Sequence, residues 1–224
     1  METLIISLGG SIIVPDKPDY FFLREFKNFI IRNIEKYRFV IICGGGKTSA
    51  YYNETALKVS EISDEELDRL GIAGTRLNAE LLRVIFGELA YESVITDPTK
   101  KIKTDKNIIF VSGWKPGFST DNVAVHAAEN FGVKRVLNLS NIKYLYDKDP
   151  NKFDDAKKIF QMSWKDYRKM VGNKWTPRMN SPFDPIASKT AENLRLEVVV
   201  LRGTDLKNIE EYLSGRDFIG SIIK

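Results

Sequence analysis

One cysteine and one histidine are all that 224 residues hold of the side chains that most often bind zinc or drive nucleophilic catalysis. A lone Cys43 excludes an internal disulfide framework, and His126 beside it leaves no His/Cys metal cluster. A histidine-dependent mechanism would have to rest on His126 alone. No apolar run approaches the roughly 20 residues that span a bilayer. The start, Met1 to Gly10, shows no basic segment ahead of a long apolar stretch, so no secretory signal is expected. No Lys/Arg block stands out either: 34 basic and 30 acidic residues are interleaved, with a formal charge of +4. That mild balance suits anionic small molecules rather than nucleic acid. The expected address is the cytoplasm, with neither nucleic acid nor membrane as partner.

Short apolar runs alternate with helical patterns along the chain. Strands are predicted at 4–8, 39–43, 93–96, 107–112, 135–139 and 196–201. Helical spacing places apolar residues at Phe22, Phe26, Phe29, Ile30 and Ile34. Further helices are predicted over 48–59, 120–131, 185–194 and 205–213. Another opens at Ser63, with Glu66 three residues on as in a capping box, and runs to about Ala90 with interruptions at Gly71 and Gly74. Residues 144–158 read as a hairpin or loop, and Trp164, Tyr167 and Met170 as a core-facing helix stripe. Buried strands alternating with helices predict a mainly parallel sheet with helices on both faces. Ligands of such sheets sit beyond the carboxyl ends of the strands.

Glycine-rich or polar turns follow several of these strands. V-I-I-C-G-G-G-K-T, from Val40, ends like a P-loop, but Ile41 occupies the position of that motif's first glycine, inside a strand. The P-loop reading fails. Gly44–Lys47 still suits a phosphate: glycine lets backbone approach closely, the next helix start offers N–H groups, and Lys47 adds a mobile charge. A tight turn with a solvated lysine explains the same residues equally well. Gly9-Gly10-Ser11 follows the first strand in the same topological place. Residues 112–121, S-G-W-K-P-G-F-S-T-D, combine close-approach glycines, aromatic rings able to lie against a base, hydroxyls and a carboxylate. Asp121 reads either as a helix cap or as a group that orders a lysine or Mg²⁺ beside phosphates. His126 and Cys43 read as packing rather than chemistry.

Six segments in order carry a more specific resemblance. L-G-G-S-I-I-V-P, I-C-G-G-G-K, D-R-L-G-I-A-G-T-R-L-N-A, P-G-F-S-T-D-N-V-A, S-N-I-K-Y-L-Y-D-K-D-P and F-D-P-I-A-S-K are similar to those of the amino-acid kinase family, from Leu8 to about Lys189. Within it they most resemble UMP kinases (uridylate kinases) of archaeal type. The resemblance implies one amino-acid kinase domain over 1–224, an α/β three-layer sandwich that moves the γ-phosphate of ATP to UMP with Mg²⁺. It implies no metal held by protein side chains alone. Lys47 and Asp121 would be catalytic. Gly9, Gly10, Ser11, Gly46, Ser140, Asn141, Tyr146 and Asp149 would bind ATP. Gly45, Asp68, Arg76, Trp114, Lys115, Pro116, Gly117, Phe118, Ser119 and Thr120 would bind UMP. Arg76 also reads as a solvated helix residue. Relatives form hexamers, so a homo-oligomer is implied.

Three positions depart from the family pattern. Ser7 stands where many members have lysine, Ala50 where archaeal-type enzymes often have arginine, and Lys143-Tyr144 where Asp-Gly is usual. Lys115 and Arg178 are extra basic residues near the expected site. Other readings are a kinase of another small phosphate, such as isopentenyl phosphate, and a non-catalytic nucleotide- or anion-binding protein. Phosphoryl transfer fits a chain rich in glycine turns and poor in nucleophile–base sets, because it needs two anions held in line and neutralised.

Overall fold

The computed structural model describes residues 1–150, 152–172 and 181–224; Arg178 lies outside them. Strand β1 (Glu2–Leu8) is followed by a short turn of helix, α1 (Gly10–Ile13), and by α2 (Tyr20–Asn33). Then come β2 (Tyr37–Cys43), α3 (Gly46–Val59), α4 (Asp64–Phe86) and β3 (Ile108–Val111). Helix α5 (Thr120–Asn130) leads to β4 (Arg135–Ser140), and β5 (Leu145–Tyr146) forms a hairpin with β6 (Lys158–Ile159). The chain ends through β7 (Gln161–Met162), α6 (Trp164–Val171), α7 (Pro185–Asn193), β8 (Glu197–Arg202), α8 (Leu206–Leu213) and β9 (Ser221–Ile223).

The main sheet has the order β3-β2-β1-β4-β8-β9-β7. Its first five strands are parallel, and β9 pairs antiparallel to β8. Strand alternation builds two cores. Leu4, Ile6, Leu8, Phe39, Ile41 and Phe110 meet α1, α2, α4 and α8 on one face. Ile5, Val40, Ile42, Ile109 and Val111 meet α5, α6 and α7 on the other. The three-layer sandwich with a mainly parallel sheet is therefore as the sequence predicts.

Two predicted elements differ. No strand forms over 93–96; within it only Ile95 bridges Val111, and with Ala90 bridging Ile108 upstream the chain runs beside the β3 edge in isolated bridges that never join into a continuous ladder. Helix α4 passes Gly71 and Gly74 without a break and ends at Gly87, whose φ of +56° stops the helical spiral. Trp164 and Tyr167 are core residues, whereas Met170 is exposed.

The strand order places a switch point beside β1. From β1 the chain moves outward to β2 and β3, then crosses by α5 to β4 on the other side of β1. A crevice opens at the carboxyl ends of such neighbours, and loops after β1, β2, β3 and β4 all end there.

Candidate active site

The first two glycine turns interlock. A methyl group on Gly10 would stand 2.0 Å from the Gly46 nitrogen and 2.6 Å from the Gly45 nitrogen. Gly46 has a φ of +55°, and a methyl there would meet the Gly10 carbonyl oxygen at 2.1 Å. These glycines are thus required by backbone-on-backbone packing, whatever else they do. Among the described residues, the amides of Gly10, Ser11, Gly45 and Gly46 meet no backbone acceptor, whereas the Lys47 N–H donates to the Val14 carbonyl at 3.1 Å. Asn78 of α4 fixes the second turn, its Nδ2 donating to the carbonyls of Gly44 (2.8 Å) and Gly45 (2.9 Å).

A cleft of about 420 Å³ opens beside this pair, between α3, α4 and the start of α5. Of the residues predicted from sequence, Gly45, Gly46, Asp68, Phe118, Ser119, Thr120 and Asp121 line it. A larger hollow of about 910 Å³ sits at the opposite, amino ends of β1, β4 and β8, and none of the glycine turns reaches it. The cleft, and not the larger hollow, is therefore the candidate site.

Asp121 lies at its floor. Ser119, not Asp121, caps α5 by accepting the Asn122 N–H, so the cap reading of Asp121 falls away. Its carboxylate accepts the Ser7 hydroxyl at 3.2 Å and the Asp184 N–H at 3.1 Å. Burial pushes this carboxyl up to about 7; the Asp184 N–H and the Ser7 hydroxyl offset part of the rise, while the nearby Asp184 charge adds to it. Burial also raises Asp184, against the N–H groups of Ala187 and Ile186 and the Ser119 hydroxyl. Asp184 caps α7 ahead of Pro185, and the Tyr167 hydroxyl locks the preceding residue, donating to the Phe183 carbonyl and accepting its N–H, both at 2.7 Å. Asp184 falls within F-D-P-I-A-S-K, where its sequence signal is the Asp-Pro pair at a helix start and nothing local marks it as a site residue.

At the far end, Asp68 Oδ2 accepts the Gly117 N–H at 2.6 Å and so straps the 113–120 loop to α4. Burial raises this carboxyl, and the Gly117 bond lowers it in part. Thr75 ties the same loop to α4 by accepting the Gly113 N–H at 2.8 Å. Trp114, Phe118 and His126 form one aromatic cluster, with ring centroids 4.9 to 5.8 Å apart. The Lys115 ammonium stands over Trp114 and Phe118, at 4.0 and 4.7 Å. Trp114, Lys115, Pro116 and Gly117 thus shape the loop without lining the cleft.

Other predicted residues lie around it. Gly9 donates to Leu139 and borders Ser140, placing Ser140 and Asn141 across β1 from the second glycine turn. Tyr146 belongs to the β5–β6 hairpin, and Asp149 follows it. Lys47 is exposed on the first turn of α3 with its ammonium 5.4 Å from the Tyr51 ring centre, outside the cleft lining. Arg76 is exposed on α4 and does not line the cleft.

A family model for the amino acid kinase family matches residues 2–202. The chain belongs to the amino acid kinase family. Among its relatives is the uridylate kinase of Methanospirillum hungatei, 32% identical, with 100% of this chain and 95% of that protein covered. The uridylate kinase of Methanocaldococcus jannaschii is also 32% identical, with 93% and 95% covered. The crystal structure of uridylate kinase from Archaeoglobus fulgidus superposes with a TM-score of 0.84 at 27% identity, covering both chains fully. Within this amino acid kinase architecture the cleft holds the part-buried Asp121, the buried Asp184 and the amides of Gly45 and Gly46 at one end, and the Asp68 carboxylate at the other. Such an arrangement can grip a phosphate monoester along its length.

Proposed function

We propose that this chain is a UMP kinase, transferring the γ-phosphate of ATP to UMP to give UDP and ADP. The carrying observation is the cleft: amides of Gly45 and Gly46 and the Asp121 carboxyl at its inner end, Asp68 at its outer end, in a chain whose archaeal relatives are uridylate kinases. In this reading the residues over 1–224 make one amino-acid kinase domain.

The acceptor phosphate lies against Gly45 and Gly46, and ATP extends over Gly9, Gly10 and Ser11 toward Ser140, Asn141, Tyr146 and Asp149. Lys47 swings from Tyr51 onto the phosphoryl group in transit. No general base is needed, because the UMP phosphate is ionised near neutral pH. What the protein supplies is alignment and fixed donors in a site that needs little reorganisation.

Mg²⁺ arrives with ATP. An ion of this kind is held mainly by phosphate oxygens and one or two carboxylates. Asp121 and Asp184 would hold it, and it would neutralise charge on the phosphates. The polar outer end, with Asp68 and Asn53, is unsuited to an isoprenoid chain, which disfavours isopentenyl phosphate as acceptor.

Tyr20, Phe21, Leu77 and Val84, all more than half exposed on α2 and α4, offer an apolar surface to a second copy, in keeping with the proposed homo-oligomer. No helix among the described residues is long and apolar enough to cross a membrane, and a cytoplasmic location is part of the proposal. A coupled assay of ADP release with UMP, CMP, dUMP and isopentenyl phosphate tests the function. Turnover fastest with UMP is expected; no turnover with any nucleoside monophosphate refutes it.

A further inference from the structure

Asn53 is the single buried residue of α3. It is 9% exposed, lines the cleft, and its Oδ1 has no hydrogen-bond partner among the described residues. An asparagine facing an enclosed site with an unmade hydrogen bond is costly to keep in a folded protein. The rest of α3 faces solvent or packs on α1 and α4.

Position assigns the amide to one end of the ligand. Asn53 is seven residues past Gly46, so about 10 Å along α3 from the glycine turn. Asp68 is ten residues before Asn78, which grips that turn, and so lies about 15 Å along α4 from it. Both residues therefore stand at the end of the cleft remote from the phosphate. A methyl on Gly71 would be 3.8 Å from Asn53 Nδ2. Gly71 is three residues after Asp68, on the same helical face. The amide and the carboxylate thus flank one spot, with Gly71 leaving it open.

Asp68 can only accept hydrogen bonds, and Gly117 already occupies Oδ2. Asn53 can both donate and accept. Two adjacent hydroxyls satisfy that pair: each can donate to one oxygen and accept from the amide. We infer that Asn53, together with Asp68, reads the vicinal diol of the acceptor's ribose and sets the preference for ribo- over deoxyribonucleotide. The inference rests on the UMP kinase reading and deepens it.

The test compares kcat and KM for UMP, dUMP and CMP in the wild-type protein and Asn53→Leu, a substitution of similar volume. Thermal unfolding checks the fold, and Asn53→Ala provides the same comparison if leucine does not fit. The wild type should show a KM for dUMP at least about tenfold above that for UMP. Asn53→Leu should raise the KM for UMP about tenfold, equivalent to about 1.4 kcal/mol. Its KM for dUMP should change less than about twofold, and the UMP/CMP ratio should hold. Equal losses for UMP and dUMP, a shifted UMP/CMP ratio, or unchanged constants overturn the role of Asn53 while leaving the kinase reading in place. Absence of turnover with every nucleoside monophosphate in the wild type removes both.

Discussion

Replacing Asp121 by asparagine should destroy activity and stabilise the protein. The carboxyl is part-buried at the cleft floor, and loss of solvent pushes its titration from the ordinary 3.8 to about 7. At 1.36 kcal/mol per pH unit, that rise means ionised Asp121 opposes folding by up to about 4 kcal/mol. The folded state holds this proton more tightly than the unfolded chain, so ligand-free stability should fall as pH rises from about 4 through 7. Between pH 5 and pH 8 the loss from this group is about 2.5 kcal/mol. The introduced amide fits the same contacts: its oxygen accepts the Asp184 N–H, and its NH₂ donates to Ser7, whose hydroxyl turns from donor to acceptor. Urea unfolding of both proteins at pH 5 and pH 8 measures the effect. Asp121→Asn should already lead by about 1.5 kcal/mol at pH 5 and by about 4 kcal/mol at pH 8, a widening of about 2.5 kcal/mol or roughly 5 to 10 °C in Tm. A parallel pH dependence in the two proteins would show that Asp121 is not the strained carboxyl. Activity should drop at least about a hundredfold, the scale for losing a transition-state charge partner.

Three further outcomes follow from the geometry. Lys47→Ala should lower kcat by about two orders of magnitude with little change in the KM for UMP; a variant with most of its kcat would leave Lys47 on Tyr51 and outside the chemistry. Asp68→Ala should raise the KM for UMP about tenfold or more and loosen the 113–120 loop, read as faster amide exchange at Gly117, because one carboxylate serves ligand and strap. An unchanged KM would remove Asp68 from the acceptor site. Gly10→Ala should cost at least about 3 kcal/mol of stability, since its methyl meets backbone rather than a movable side chain; a wild-type melting temperature would show that the two turns are looser than their spacing indicates.

The parallel core was legible because β1, β2, β3, β4 and β8 are short, two-sided apolar runs, each bounded by turns. Strand β9 was not legible: three residues, Ser221–Ile223, carry no periodic signal, and they become a strand only because β8 offers an open edge. The turn chemistry after β1, β2 and β3 was visible, since glycine, hydroxyl and carboxylate residues are local. The electrostatics were not. Ser7 and Asp121 are 114 residues apart, and Asp121 and Asp184 are 63 apart; a raised carboxyl arises only when the fold brings such groups together and excludes water. Asn53 was invisible for the same reason, one polar residue in a polar helix.

Gly44–Lys47 shows why a sequence could not choose between a tight turn and a phosphate cradle. The two needs converge on the same atoms. Because Gly10 and Gly46 lock backbone to backbone, the amides of Gly10, Ser11, Gly45 and Gly46 are left without backbone acceptors before any anion arrives. Ordering those donors is then a cost of folding and not of binding, so they can meet developing phosphoryl charge without rearranging. A flexible glycine loop of the same composition would offer the same N–H groups and lose that advantage to entropy. In the proposed kinase the glycines would serve the chemistry through the packing they permit.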